Sequence, residues 1–342
     1  LTESRFLRIS SFAIFYLAQG LPIGLISIAL PAWLAEQGAS AADIAYFVAI
    51  SGLPWGFKLL AGPVMDRFSL LAMGRRRPWV IASQGGLLIA ICLLGTTHDP
   101  VENIVLLTWF AFVVNMFAAV QDVAVDGMAI DVLPEDERGR ANAFMAFGQV
   151  AGYSGSAAIC AIALVRFGLA GAAIVLASGV FGIFVWGVIV RERQGEKLLP
   201  WTEGVATDRS VALQATDWTS ILVNLLRVIV MPASSLLILM ALFWRIQSGF
   251  WVTATPIVVV NQLGFSSTDY SSWIATAGFI AAVLGLVFGP MIDRSGSRKL
   301  LLSALIGLGA LHTGAGLLVD LWTESWFLLV ILFADQFLTQ II

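Results

Sequence analysis

Ten stretches of about 20 apolar residues constrain the fold of this chain more than any other feature. A helix of that length crosses the hydrocarbon core of a bilayer, because each residue adds about 1.5 Å and the core is about 30 Å thick. We predict helices at 6–33, 42–64, 78–97, 104–130, 139–165, 170–190, 234–261, 270–290, 299–319 and 325–342. The pattern therefore indicates an all-α membrane protein.

The composition argues against a soluble domain. Apolar residues make up 59% of the 342 residues and charged residues 12%, about half the charged fraction of a typical soluble protein. The net charge of −3 favours no nucleic-acid partner. Cys92 and Cys160 lie within apolar stretches, so we expect free thiols. The chain begins with Leu1 and ends at Ile342 inside an apolar run, so we expect a bundle truncated after about ten helices.

The distribution of basic residues predicts the orientation in the membrane. Of the 19 Lys and Arg residues, all but three lie in segments that are cytoplasmic when the N-terminus is inside. Lys58 and Arg245 lie within predicted helices, and Arg166 lies in a turn on the outside. The N-terminus is therefore predicted to be cytoplasmic.

One long polar stretch, at 191–218, separates the sixth predicted helix from the seventh. We predict an N-terminal six-helix half at 1–190, a cytoplasmic linker at 191–218 and a C-terminal half at 219–342. Apolar residues at helical spacing between Trp218 and Ile229 predict an amphipathic helix on the inner leaflet at the start of the second half.

A short charged signature occurs twice, each time at a predicted cytoplasmic end. Gly-Pro-Val-Met-Asp66-Arg67 precedes a basic cluster, and Gly-Pro-Met-Ile-Asp293-Arg294 precedes another. Duplication of this kind is common in secondary transporters. An aspartate can satisfy the free N–H groups of a neighbouring helix start, so we predict that Asp293 approaches residues 138–142. The predicted cytoplasmic gate consists of Asp66, Arg67, Arg75, Arg76, Arg77, Asp126, Asp293, Arg294 and Arg298. Asp126, with Asp131, is expected to form salt bridges with the arginines.

Polar side chains within the predicted helices mark a candidate solute and proton pathway. An ionised group at the bilayer centre costs about 2.5–3.5 kcal/mol, so Asp122, Arg245 and Asp335 need partners or water. In the functional interpretation Arg245 binds an anion and an aspartate takes up a proton; the alternative is a structural ion pair between the halves. Lys58 is interpreted instead as a residue that extends to the membrane surface. The candidate pathway consists of Gln19, Asn115, Gln121, Asp122, Arg245, Trp251, Asp335 and Gln336.

Other residues give no indication of enzymatic chemistry. His98 and His312 are isolated, without metal-ligand spacing, and no hydrolase motif or phosphate-binding loop is present. We expect no catalytic residue, no metal and no cofactor. Gly148, Gly152 and Gly155 on the fifth predicted helix suit close helix packing.

Several motifs resemble the peptide/acetyl-coenzyme A transporter family of the major facilitator superfamily, which includes AmpG-type muropeptide permeases. They are SGLPWGFK at 51–58, GPVMDRF at 62–68, GRRRPW at 74–79, QDVAVDG at 121–127, YLAQGLP at 16–22 and DQF at 335–337. Arg245 stands where the family usually has lysine. The resemblance implies two pseudo-symmetric six-helix halves, a cavity lined by the first, fourth, seventh and tenth helices, and alternating access that is commonly driven by protons.

Together these features predict a proton-coupled importer of an anionic or amphiphilic solute, such as a muropeptide, in a bacterial inner membrane. The expected partners are the solute, protons and the lipid bilayer, and the protein is expected to be a monomer. A sugar–cation symporter is an alternative, since GRRRPW and Asp136-Glu137-Arg138 also resemble that family, although its acidic pair early in helix 2 is missing. A folate/biopterin-type carrier and a membrane sensor or scaffold are further alternatives.

Overall fold

The computed structural model describes residues 1–214, 217–295 and 297–341, with the backbone alone at 220, 285–295, 297–298, 319 and 340–341. All regular secondary structure in these residues is helical. The first part of the chain forms α1 (Arg5–Glu36), α2 (Ala41–Arg67), α3 (Arg77–Gly95), α4 (Ile104–Val132), α5 (135–167) and α6 (169–189).

The helices of this part depart from regular α-helical geometry at two places. The α1 helix contains a π-helical segment at Gly24–Ala29, directly after Pro22. Helices α5 and α6 share one helical run, Glu135–Ile189, which breaks at Gly168 with φ 67°. Because this φ lies in the left-handed region, glycine allows the chain to reverse there at little cost.

The second part begins with two short helices, and the remaining four are longer. They are α7 (Asp208–Ala212), α8 (Trp218–Ile229), α9 (Pro232–Gln262), α10 (Ser267–Ser295), α11 (Ser297–Leu317) and α12 (Ser325–Ile341). A helix occupies each of the ten predicted stretches, and α8 occupies the segment predicted to be amphipathic. Among the described residues, seven helices are long and apolar enough to cross a membrane, and Glu135–Ile189 counts once although it contains α5 and α6. Both cysteines are free, as expected.

The helical bundle has two ends, and the contacts between the two parts of the chain differ between them. We call the end that carries residues 68–76 and 190–214 the linker end, and the opposite end, with residues 37–40, 96–103 and 263–266, the far end. At the far end one apolar core joins both parts, with Leu30, Phe47, Val259, Ile274 and Leu328 among its buried members. The Ser267 hydroxyl also donates a hydrogen bond to Glu36 there.

The apolar core at the linker end is different in composition. Its buried members, among the described side chains, come only from residues 1–190, with Phe12, Met65, Val125 and Met145 among them. The two halves therefore pack together at the far end, whereas the described apolar core at the linker end belongs to the first half.

Helix α5 packs against α1 through glycines that allow the two backbones to touch. A Cβ on Gly152 would lie 2.3 Å from the carbonyl oxygen of Leu17, and one on Gly148 would lie 2.2 Å from that of Ala13. At Gly155 nothing lies within 4 Å of the added atom. Gly148 and Gly152 therefore provide the predicted close packing, and Gly155 does not.

Replacing Gly152 with Ala is expected to lower the stability by about 1–3 kcal/mol, because the added methyl group collides with the α1 backbone. Thermal unfolding of the purified protein in detergent measures the effect. Gly155→Ala is the matched control, since the same change on the same helix meets open space. Equal melting temperatures for the two variants would contradict the packing described above.

Candidate solute and proton sites

The Asp122 carboxylate on α4 is the centre of a polar cluster in the first half. Its side chain is only 3% exposed, and its Oδ2 lies 2.9 Å from the ammonium nitrogen of Lys58 on α2. Its Oδ1 accepts a hydrogen bond of 2.5 Å from the side-chain amide of Gln19 on α1. Three helices therefore contribute to this group of contacts, which gives the buried carboxylate the partners that a charge needs far from water.

Amide and aromatic side chains extend this cluster along the helices. Asn115 Oδ1 accepts a hydrogen bond of 3.2 Å from the indole N–H of Trp55, and its amide nitrogen donates to the carbonyl of Ser51 at 2.7 Å. Gln121 donates to the carbonyl of Phe15 at 2.9 Å. The side-chain oxygens of Gln19 and Gln121 are buried without a hydrogen-bond partner among the described residues, so each retains an acceptor.

A second polar cluster lies in the other half and is centred on Asp335 of α12. Asp335 is 4% exposed, and its Oδ1 lies 2.9 Å from Nε2 of His312 on α11. The other ring nitrogen of His312, Nδ1, lies 3.2 Å from the amide nitrogen of Gln247 on α9. The Trp251 ring stacks on the imidazole, with centroids 4.5 Å apart and planes 23° apart. This cluster also joins three helices.

Both carboxylates lie deep within their helices. Asp122 is ten residues from the end of α4 at Val132, and Asp335 is ten residues from the start of α12 at Ser325. At 1.5 Å per residue each is about 15 Å from a helix end, which is half the thickness of a hydrocarbon core.

Arg245 is not part of the Asp335 cluster. Its side chain is exposed, and it has no hydrogen bond or ion pair with any residue that the structure describes. It lies two residues before Gln247, which places the two side chains about 200° apart around α9. The alternative of a structural ion pair through Arg245 therefore has no support among these residues.

Gln336 connects the two halves. Its side-chain oxygen accepts a hydrogen bond of 3.1 Å from the Tyr153 hydroxyl of α5. Asp335 and Gln336 are adjacent on α12, so one turn of this helix carries both the carboxylate that pairs with His312 and the amide that contacts the first half. A movement of α12 would change both contacts together.

The arginines of the first signature form ion pairs at the linker end. Arg75 lies 2.7 Å from both Asp66 and Asp131, and Arg76 also pairs with Asp66. Arg77 donates instead to the backbone carbonyls of Gly187 and Val188. All these pairs lie within the first half.

Arg67 has a different environment from the other arginines of the signature. Its guanidinium lies over the ring of the adjacent Phe68, 5.5 Å from the centroid.

The pKa of Arg76 is shifted by its surroundings. Burial, together with the charge of neighbouring Arg75, lowers the pKa of Arg76 below its usual value.

The segment after α6 folds back onto these arginines. Glu192 is fully buried, and its Oε2 accepts hydrogen bonds from the backbone N–H groups of Arg76 and Arg77 at 2.9 and 3.0 Å. Those groups lie at the start of α3, so Glu192 caps that helix. Arg193 in turn pairs with Glu192 and donates to the Ser210 hydroxyl.

Asp126 lies in a different environment from the one predicted. It accepts a hydrogen bond from the Tyr16 hydroxyl of α1 and forms no salt bridge with the arginine cluster among the described residues. It lies one helical turn from Asp122 and so belongs with the intramembrane cluster rather than with the gate. The side chains of Asp293, Arg294 and Arg298, and the predicted approach of Asp293 to residues 138–142, lie outside the described side chains.

Sequence reasoning missed three residues of these clusters. The sequence position of Lys58 favours extension to the membrane surface, but the residue pairs with Asp122. Tyr16 lies within the YLAQGLP motif and contacts Asp126, although the motif itself gives no sign of a partner. His312 was treated as isolated, and its partners come from two other helices. In the sequence, the sign that these three residues need partners is that each is a polar side chain within an apolar stretch.

Residues 12–339 match the sequence model of the Major Facilitator Superfamily. The chain belongs to this superfamily, and the predicted fold, a two-halved bundle of its type, is confirmed. It is 27% identical over 310 residues to the anhydromuropeptide permease of Escherichia coli strain K12, covering 86% of this chain. The chain spans 56% of that permease's length.

Two solved structures share the fold. A crystal structure of a D-xylose–proton symporter superposes with a TM-score of 0.64 at 14% identity, covering 97% of this chain and 80% of the symporter. The xylose transporter XylE of E. coli, in a partially occluded inward-open conformation, gives a TM-score of 0.62 at 13% identity, covering 98% and 84%. At these identities the likeness concerns the fold.

Proposed function

We propose that this multi-pass membrane protein is a proton-coupled secondary transporter that imports an anionic or amphiphilic solute by alternating access. One observation carries the proposal: each half holds a buried carboxylate at mid-membrane depth, paired with a base from another helix. Ionisable groups inside a membrane are expensive and mark ion and substrate pathways by default. A scaffold without transport would gain nothing from two such pairs.

The arrangement of the halves supports alternating access. The apolar core at the far end joins both halves, and the one at the linker end lies in the first half among the described side chains. We propose that the structure represents the state open at the linker end. In the opposite state the far-end contacts, including the Glu36–Ser267 hydrogen bond, would separate.

Two observations support the proposed solute class: the similarity to a permease and the exposed Arg245 side chain. The matched E. coli protein is named as an anhydromuropeptide permease, and such a solute carries both sugar and carboxylate groups. We propose that Arg245 holds the anionic group and that Gln19, Gln121 and Trp251 contact the remainder. Arg245 suits this role because it is exposed on α9 and is not engaged by a described carboxylate.

We further propose a location in a bacterial inner membrane, with the linker end and the N-terminus in the cytoplasm, and a monomeric state. The basic residues support this orientation, since they concentrate at the linker end. The proposed halves are 1–190 and 219–342, and the segment between them packs on the first half through Glu192 and Arg193.

Uptake into liposomes with an imposed pH step tests the proposal. The full chain is reconstituted and offered labelled anhydromuropeptide, a sugar or folate, in separate experiments. Accumulation of the muropeptide that depends on the pH step supports the proposal. Accumulation of the sugar or folate alone would favour one of the alternative carriers, and uptake of none would favour a sensor or scaffold.

Replacing Arg245 with Gln is expected to reduce uptake of the anionic solute by at least about tenfold, equivalent to ~1.4 kcal/mol of binding. The reason is the loss of the charge that holds the anion. The amount of protein in the membrane should not change, because Arg245 has no described structural partner. Arg166→Gln, at an exposed position outside the proposed pathway, is the control. Unchanged uptake by the Arg245 variant would refute the assigned role.

A further inference from the structure

His312 occupies a position between a carboxylate, an amide and an aromatic ring. Its Nε2 faces Asp335 at 2.9 Å, its Nδ1 faces the side chain of Gln247 at 3.2 Å, and Trp251 covers one face of the ring. The imidazole is 21% exposed and Asp335 is 6% exposed by side chain. A histidine held from three directions in this way is oriented by its neighbours.

The two nitrogens of the ring have different tasks in this arrangement. An ionised carboxylate can only accept hydrogen bonds, so Nε2 must carry a proton whenever Asp335 is ionised. The nitrogen that can gain or lose a proton is then Nδ1. Gln247 can serve both states, because its amide offers a donor to the bare nitrogen and, after rotation by 180°, an acceptor to the protonated one.

The charge of the pair changes when Nδ1 is loaded. With a neutral imidazole the His312–Asp335 pair carries one negative charge, and with an imidazolium it is neutral. A neutral pair is easier to hold in a low-dielectric environment. The stacked Trp251 ring also favours the imidazolium, through its attraction for a cation on its face. Imidazole is the side chain that changes charge most readily between pH 5 and 8.

The titratable groups around the pair lie on four helices. Tyr270 of α10 lies close enough to Asp335 to interact with its charge. The Tyr153 hydroxyl of α5 donates to Gln336, the residue after Asp335. Arg245 of α9 lies on the opposite side of that helix from Gln247, and the other titratable residues of α11 lie in its first turn.

We propose that Nδ1 of His312 is the binding site for the coupling proton in the second half, with Asp335, Gln247 and Trp251 as positioning residues. This inference rests on the proposed function and makes it more specific. A hydronium ion gives its proton to the Nδ1 lone pair: one N–H bond forms, one O–H bond breaks and a water molecule is left, and the net charge of the pair rises from −1 to zero. The same proton leaves to water when the site opens on the other side.

Transport by the His312→Gln variant tests the role in coupling. A glutamine amide can still donate to Asp335 but cannot accept the proton. We expect accumulation driven by a pH step to fall at least about tenfold further than exchange of labelled for unlabelled solute does. His98→Gln is the matched control, since the chain has two histidines. Wild-type accumulation by His312→Gln would overturn the proposal.

Nitrogen NMR on the His98→Gln protein tests the site without any solute. His312 is then the sole histidine, and its two ring nitrogens report their protons directly. Nε2 should carry a proton in both states of the ring, and Nδ1 should be the nitrogen that gains one when the solution is acidified. A neutral ring with a bare Nε2, or a ring whose second proton adds to Nε2, would overturn the inference. A ring that loads as expected in a protein that moves no solute would leave the site standing and refute the proposed function.

Discussion

Replacing Asp122 with Asn is expected to reduce proton-driven uptake to background and to destabilise the protein as well. The carboxylate accepts from both Lys58 and Gln19 in a buried position. Its loss leaves the Lys58 ammonium without a counter-charge at mid-membrane depth. Removing one partner of a buried ion pair costs about 3–5 kcal/mol, and less is expected here because the Lys58 side chain is 43% exposed.

A double variant separates the structural effect from the functional one. Lys58→Gln combined with Asp122→Asn removes both charges and keeps two polar side chains at hydrogen-bonding distance. We expect its melting temperature in detergent to return close to the wild-type value, because no unpaired charge remains. Uptake should stay at background, since neither residue of this pair is left to carry charge in the first half. Recovery of proton-driven uptake in the double variant would show that the pair is only structural.

Replacing Asp335 with Asn is expected to separate solute movement from the proton gradient. Asparagine can still accept from Nε2 of His312, so the hydrogen bond that orients the ring is kept. However, the loaded state then carries a positive charge instead of being neutral, which makes it expensive inside the membrane. Accumulation against a gradient should therefore fall at least about tenfold, while solute exchange continues.

The control for Asp335 is another aspartate of the same half. Asp320 lies in the short helical turn before α12 and is exposed, so Asp320→Asn should transport as the wild type does. Exchange and accumulation are measured on the same liposomes. If Asp335→Asn accumulates solute normally, the second half does not bind the coupling proton at this pair.

The helices could be predicted from the sequence because membrane-spanning length and apolar composition are local properties. The second helix, predicted at 42–64, is observed at Ala41–Arg67, and the fourth, predicted at 104–130, is observed at Ile104–Val132. Turn residues fix these ends: Ser40 caps α2 by accepting from the N–H of Asp43. Depth along each helix follows from the same counting, which is why Asp122 and Asp335 were recognised as intramembrane carboxylates.

The partners of those carboxylates could not be predicted in the same way. Lys58 lies six residues before the predicted end of its helix at 64, and this spacing is compatible with either a surface position or an ion pair inside the bundle. Which of the two occurs depends on the rotation of α2 against α4, a property of helix packing rather than of either sequence. The pairing of His312 with Asp335 likewise depends on how α11 meets α12.

The contacts of the segment after α6 could not be predicted from its composition either. Its polar composition predicts a linker between the halves, and within it Glu192 and Arg193 are buried against the start of α3 and the end of α4. Charged residues are rarely buried without partners. The two residues pair with each other, and their other partners include backbone N–H and carbonyl groups and the Ser210 hydroxyl, which no composition argument can identify.

Proton movement driven by the solute alone tests the central claim most directly. Liposomes containing the full chain and a pH-sensitive dye start with equal pH on both sides and no membrane potential. When labelled muropeptide is added outside, the account predicts that the lumen becomes acidic as solute enters, and that Asp122→Asn and Asp335→Asn abolish this acidification. Entry of solute into liposomes containing the unsubstituted chain at constant internal pH would contradict the account.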